Sequence, residues 1–225
     1  AGEVVGVAGL VGAGRTQLAR VLFGIDQPEA GTILLDGRPT RFRNPRDAIR
    51  AGIAYVPEDR KGLGLVLGAS VGFNLALTLL RELSRFGVLR ASQLDALYRT
   101  WVERLRIRTP SAQTIVENLS GGNQQKVVLA KWLARQPRVL ILNEPTRGID
   151  VGAKAEVHAL IREVAARGVA VMMISSELPE IMTISDRIVV MWNGRTVGEL
   201  DGRTALEEEV LALAFGELGH SHRAG

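Results

Sequence analysis

The sequence contains no cysteine, which excludes disulfide bridges and thiolate metal sites alike and fits a reducing compartment. It has no apolar run near the roughly 18–20 residues needed to cross a bilayer. The longest runs, Val139–Leu142 and Val169–Ile174, have the length of strands. Work at a membrane would therefore depend on docking to another protein. An initiator methionine and a signal peptide are both missing: Ala1-Gly2-Glu3 leads straight into a strand, which reads as a piece cut from a longer chain. There is no internal repeat and no low-complexity tract. The two histidines near the end, His220 and His222, sit in a polar tail and read as solvated rather than as metal ligands.

What is present is an ordinary globular composition. With 46% hydrophobic and 23% charged residues in 225, disorder is excluded and one domain, or one core with a subdomain, is expected. The net charge of +4 suits a nucleotide, nucleic acid or anionic lipid as partner, and equally a solvated surface.

Short apolar runs alternate with longer amphipathic stretches, the pattern of an α/β fold with a mostly parallel sheet. Strands are expected at Val4–Ala8, Thr32–Leu35, Ile53–Val56, Val139–Leu142, Val169–Ser175 and Arg187–Met191. The runs at Val139 and Val169 are continuously apolar, as strands buried on both faces should be. Helices are expected at Arg15–Phe23, Pro45–Arg50, Ser92–Arg106, Gly122–Arg135, Ala153–Arg167 and Leu206–Phe215. Asp36-Gly37 and Asn193-Gly194 read as hairpin turns, so a small antiparallel piece accompanies the core. The expected organisation is a core of 1–62 and 137–205, an inserted helical subdomain over about 63–136, and a tail at 216–225.

Gly9-Leu10-Val11-Gly12-Ala13-Gly14-Arg15-Thr16 follows the first strand and opens a helix, the context of a phosphate-binding loop. Its glycines let backbone N–H groups turn toward phosphate oxygens, and the helix N-terminus adds partial positive charge. Thr16 would offer its hydroxyl to Mg²⁺, with Gln17 next in the helix. The usual lysine is replaced by Arg15, which keeps the charge but is planar and bulkier. Another glycine-rich strand-to-helix turn remains an alternative. A dinucleotide-binding turn does not fit, because the glycine spacing is not G-x-G-x-x-G.

Leu119-Ser120-Gly121-Gly122-Asn123-Gln124-Gln125 is a second anion-binding helix N-terminus. Two such cradles in one chain point to a nucleotide held by another domain. This string resembles the signature of ATP-binding-cassette proteins, LSGGQ, with Asn123 at its last position. The resemblance implies a P-loop NTPase (RecA-like) core whose cofactors are ATP and Mg²⁺. It also implies head-to-tail pairing of two cassettes, each signature capping the ATP on its partner's loop.

Further strings carry the resemblance. Val139-Leu140-Ile141-Leu142-Asn143-Glu144-Pro145 resembles the Walker B strand. Asn143 stands where the family has a metal-holding aspartate, and Glu144 matches the general base that polarises the attacking water. Thr146 to Asp150 matches the loop that crosses the cassette interface. Glu58, in Pro57-Glu58-Asp59-Arg60-Lys61, replaces a glutamine that senses the γ-phosphate. Ser176 replaces the switch histidine. The resemblance thus assigns Thr16, Glu58 and Asn143 to the metal, and Glu144 and Ser176 to catalysis. It assigns Gly9, Val11, Gly12, Ala13, Gly14, Arg15, Thr16, Gln17, Ser120, Gly121, Gly122, Asn123 and Asp150 to nucleotide.

GLVGAGRT, PEDRK, LSGGNQQK and EPTRGIDVGAK together resemble the second cassette of two-cassette ATPases of monosaccharide importers. The implied partners are a second cassette upstream in the same chain, transmembrane permease subunits and, indirectly, a sugar-binding protein. Nucleic acid is not among them. The implied location is the cytoplasmic face of the membrane. Arg15, Glu58, Asn143 and Ser176 all depart from the family on the side of this domain's own loop, while the signature is nearly intact. The domain is therefore expected to complete its neighbour's site and to hydrolyse poorly at its own. A non-hydrolysing regulatory half is the alternative. A chromosome-maintenance cassette would need a long coiled coil between loop and signature, and Leu63–Glu117 is too short for one.

Overall fold

In a computed structural model, which describes residues 2–85 and 88–217, the chain divides into two compact units. One comprises residues up to Tyr55, Arg138–Glu144 and the chain from Arg162; the other comprises Val56–Pro137 and Pro145–Ile161. The sequence assigned Pro145–Ile161 to the core, whereas it clusters with the unit of the inserted segment. The start at Ala1, the two histidines and most of the expected tail lie outside the described residues.

The first unit is built on strands β1 (Val4–Gly9), β4 (Ile53–Val56), β7 (Val139–Asn143), β8 (Ala170–Ile174), β9 (Arg187–Trp192) and β10 (Arg195–Asp201). They form a six-stranded sheet in the order β10-β9-β1-β8-β7-β4. β1 pairs parallel with β8 and β9, β8 parallel with β7, and β9 antiparallel with β10. A separate hairpin joins β2 (Ile33–Leu35) to β3 (Arg38–Thr40). Both hairpin turns take positive φ at their two central residues: 51° and 74° at Asp36 and Gly37, 46° and 75° at Asn193 and Gly194. That is why each needs an Asx-Gly pair, the residues that enter this region most easily. Leu140, Ile141, Leu142, Val171, Met173 and Ile174 are buried, as the continuous apolar runs require.

Helices α1 (Arg15–Leu22), α2 (Pro45–Arg50), α8 (Leu178–Ile184) and α9 (Glu207–Ala214) belong to this unit. The sequence reading omits α8: it spans only seven residues, and Pro179 sits in its first turn. It packs on β1, where Gly6 leaves the space it occupies. A Cβ at Gly6 would overlap the Ser185 hydroxyl and lie 2.7 Å from Ile181 Cγ2. Gly6→Val should therefore overpack the centre of the sheet and cost about 2 kcal/mol. Urea unfolding of the variant, with a lowered midpoint at unchanged slope, checks this.

The second unit holds α3 (Val71–Ala76), α4 (Leu80–Leu83), α5 (Ala91–Arg104) and α6 (Gly121–Leu133), with the first part of α7 (Val151–Ala166). The unforeseen two-residue strands β5 (Ser84–Arg85) and β6 (Val88–Leu89) pair in a stretch with few strand signals. From Gln124 to Leu133 every residue of α6 is buried. It is the central helix, and α3 packs against it and against α5.

Candidate functional site

In the first unit, the loop between β1 and α1 is held by two backbone bonds. Ala13 N–H donates to Leu10 O, and Gly194 N–H donates to Ala13 O, both at 3.0 Å. Gly12 and Gly14 take φ of 87° and 98°, so the chain reverses tightly enough to aim backbone N–H groups along the α1 axis. Gly14 caps α1 and no side chain supplies a capping bond, which leaves the helix end to an external anion. Val11 projects from the tip, 93% exposed. Gly9 closes β1 with its missing Cβ against the Met191 carbonyl. Gln17 is exposed on α1. The geometry fits a phosphate.

Around this cradle the C-terminal ends of β7 and β8 bring Asn143, Glu144, Ser175 and Ser176. Asn143 is 1% exposed. Its Nδ2 donates to Thr16 Oγ1 at 3.2 Å and to Tyr55 Oη at 3.4 Å, and its Oδ1 has no partner. Arg15 is buried, and its Nη1 donates to Ser175 O at 2.5 Å. The guanidinium is thus turned toward the end of β8. Glu144 adopts φ 51°, with its N–H donating to Ile174 O at 2.8 Å. This left-handed step turns the carboxylate out of the strand, where Ser176 Oγ donates to it at 3.1 Å. Ser175 Oγ donates to the buried carboxylate of Glu180 at 2.5 Å and accepts from Glu177 N–H at 3.0 Å.

A magnesium ion needs a hydroxyl, phosphate oxygens and a carboxylate to hold its water shell. Here Thr16 and Asn143 offer two neutral oxygens, and the Asn143 amide already donates to the threonine hydroxyl. Among the described residues no group of three or more acidic, histidine or cysteine side chains could hold a metal. Thr16 and the neutral Asn143 stand at the place that would hold the ion beside the phosphates. Glu58, the third expected metal ligand, forms an ion pair with Arg147 in the second unit, beside Arg60, whose Nη1 lies 3.5 Å from Arg147 O.

The signature also lies in the second unit. Ser120 caps α6, its Oγ accepting from Asn123 N–H at 3.4 Å. The two glycines permit close approach: a Cβ on Gly121 would sit 3.1 Å from Gly148 O, and one on Gly122 would sit 2.7 Å from Ala153 Cβ. Asp150 caps α7 by accepting from Ala153 N–H at 2.9 Å. So Ser120, Gly121, Gly122, Asn123 and Asp150 gather at one place, and the loop residues gather with Asn143, Glu144 and Ser176 at another. The sequence reading missed Tyr55, Ser175, Glu180 and Arg147. Tyr55 and Arg147 meet partners, Asn143 and Glu58, that lie far away in the sequence, and the Ser175–Glu180 bond depends on the short helix α8, which no local motif reveals.

The family described as "ABC transporter" matches residues 1–147. The chain is 52% identical to the putative ribose/galactose/methyl galactoside import ATP-binding protein 1 of Rhizobium etli, over 98% of this chain and 42% of that protein. It is 47% identical to the ribose import ATP-binding protein RbsA of Bacillus subtilis, over 96% of this chain and 44% of that one. The chain spans less than half the length of these relatives. Among solved structures it resembles the dimeric, post-hydrolysis ATP-binding cassette MJ0796 bound to ADP and Pi. The TM-score is 0.77 at 21% identity, covering 91% of this chain and 87% of that one. A bacterial Atm1-family ABC exporter with ATP bound gives 0.71 at 27% identity, over 94% of this chain and 37% of that one.

Proposed function

This chain belongs to the ABC transporter family, and we propose that it is the second cassette of a two-cassette ATPase that drives a monosaccharide importer. Import ATP-binding proteins for ribose and galactose are its relatives, and their greater length leaves room for another cassette. Among the described residues no helix is long and apolar enough to cross a membrane. The domain is then a peripheral ATPase on the cytoplasmic face, bound to transmembrane permease subunits and supplied by a sugar-binding protein.

In this reading the two sites of the cassette pair are unequal. Ser120 and the N-terminus of α6 cap the ATP held on the partner's loop. Asp150 stands in the loop that crosses between them, and the segment from Glu58 to Val71 passes closure on to the permease. At the chain's own loop the backbone and Thr16 bind phosphate, with Ser176 and Glu144 facing each other where the attacking water would lie. ATP and Mg²⁺ are the cofactors of this family, and magnesium, when bound with ATP, neutralises charge on the β- and γ-phosphates. The observation that carries the asymmetry is the engagement of Arg15 with Ser175 O, together with a neutral Asn143 at Thr16. Charge that should meet the phosphate is turned aside, and the carboxylate that should hold the metal is absent.

Photolabelling of the complete chain with an azido-ATP, mapped by proteolysis, tests this. The expected label at this loop is weak and insensitive to magnesium, and Asn143→Asp raises it about tenfold in a magnesium-dependent manner. Strong magnesium-dependent label in the parent chain, equal at the two loops, would refute the asymmetry.

A further inference from the structure

Asn123 makes a set of contacts that the cap of α6 does not require. Its Oδ1 lies 2.8 Å from the backbone N of Arg108, and its Nδ2 lies 2.9 Å from Ser120 Oγ. The Arg108 N–H can only donate, so the atom facing it is the amide oxygen and the orientation of the amide is settled by chemistry. The atom facing Ser120 is then an –NH₂, which can only donate. Asn123 N–H points at the same hydroxyl at 3.4 Å. Two donors thus engage the two lone pairs of Ser120 Oγ. The hydroxyl proton is left over, and among the described residues Ser120 donates it to nothing. Ser120 is exposed, so this proton is open to an acceptor arriving from solvent.

We propose that Asn123 is a positioning residue that fixes the Ser120 hydroxyl as a dedicated hydrogen-bond donor for the terminal phosphate of a nucleotide on the partner cassette. The proposal rests on the reading of Ser120 as the signature serine and specifies how that serine works. A phosphate presents only acceptors. A hydroxyl free to rotate must give up that freedom, and any other hydrogen bond it makes, when the phosphate arrives. One whose lone pairs are already filled meets the phosphate in its final polarity. This is electrostatic preorganisation supplied by one amide. The Arg108 backbone, in the loop after α5, anchors that amide from the far side.

The test uses phosphate release by the complete two-cassette chain. Asn123→Asp is isosteric and still accepts from Arg108 N–H, but it places an acceptor against Ser120 and draws the hydroxyl proton inward. It should lower kcat by about tenfold. Asn123→Ala, which merely frees the hydroxyl, should cost about threefold. The decisive comparison is the Ser120→Ala background, where the Asp and Ala changes should each cost less than about twofold, because the hydroxyl they act through is gone. Equal costs of Asn123→Asp in both backgrounds would show charge repulsion alone and overturn the proposal. So would an Asn123→Ala chain with parental kcat. A Ser120→Ala chain with parental turnover is a different failure: it would remove the signature role itself. Parental unfolding midpoints in all the variants separate these effects from misfolding.

Discussion

Ser120→Arg should reduce phosphate release by the complete chain at least about a hundredfold, the scale on which a preorganised donor to a reacting oxyanion is lost. Arg15→Ala should reduce it by no more than about fivefold. The asymmetry follows from what each side chain touches. The Ser120 hydroxyl is exposed at the start of α6 with its proton uncommitted. An arginine there removes the positioned hydroxyl, and its bulk fills the space that a capped phosphate would take. Losing the cap also costs about 1 kcal/mol of local stability, too little to unfold the domain. Arg15, by contrast, is buried against Ser175 O. Its loss leaves a carbonyl short of a donor and the loop backbone unchanged. If both variants lose turnover equally, this chain's own loop is needed as well, for hydrolysis or for closing the pair.

A second large effect concerns Lys131. It is 6% exposed on α6, and its Nζ donates to Gly64 O at 2.5 Å. Burial holds its pKa down at about 8, against an ordinary 10.5. Below pH 8 the lysine is charged in both the folded and unfolded chains, and the folded chain bears the full desolvation cost. Between pH 8 and 10.5 the unfolded chain binds more protons, so stability rises with pH as the folded group becomes neutral. The two values correspond to about 3 kcal/mol. Lys131→Met carries no such charge. Its stability advantage over the parent should therefore shrink by about 3 kcal/mol between pH 7 and 10.5, measured by urea unfolding of both chains at each pH. A constant difference would place the ammonium in contact with solvent.

The sequence was most legible where a local rule is strong. β7 and β8 are announced by continuous apolar runs, and both hairpins by Asx-Gly pairs whose positive φ the structure shows. The α/β P-loop fold followed from these and from the motifs. Legibility failed for short elements: α8, with Pro179 in its first turn, carries too few residues to show a period. The grouping of Pro145–Ile161 with the helical unit, where Gly148 and Ala153 come close to Gly121 and Gly122, has no local signal either. Contacts that depend on missing side chains leave no periodic signal. At the loop, the motif locates Arg15 but not its direction. A long flexible side chain chooses among acceptors that come from other strands, here the end of β8.

The tip of a hairpin is ordinarily where a chain accepts an inserted peptide. The turn at Asp36-Gly37 meets that description, with open space around Gly37. The turn at Asn193-Gly194 does not: Gly194 N–H holds Ala13 O, and its Cα lies 3.2 Å from where a Cβ on Gly14 would stand. An epitope tag at the first turn leaves the phosphate cradle alone. The same tag at the second would deform it from outside, without altering a single residue of the motif.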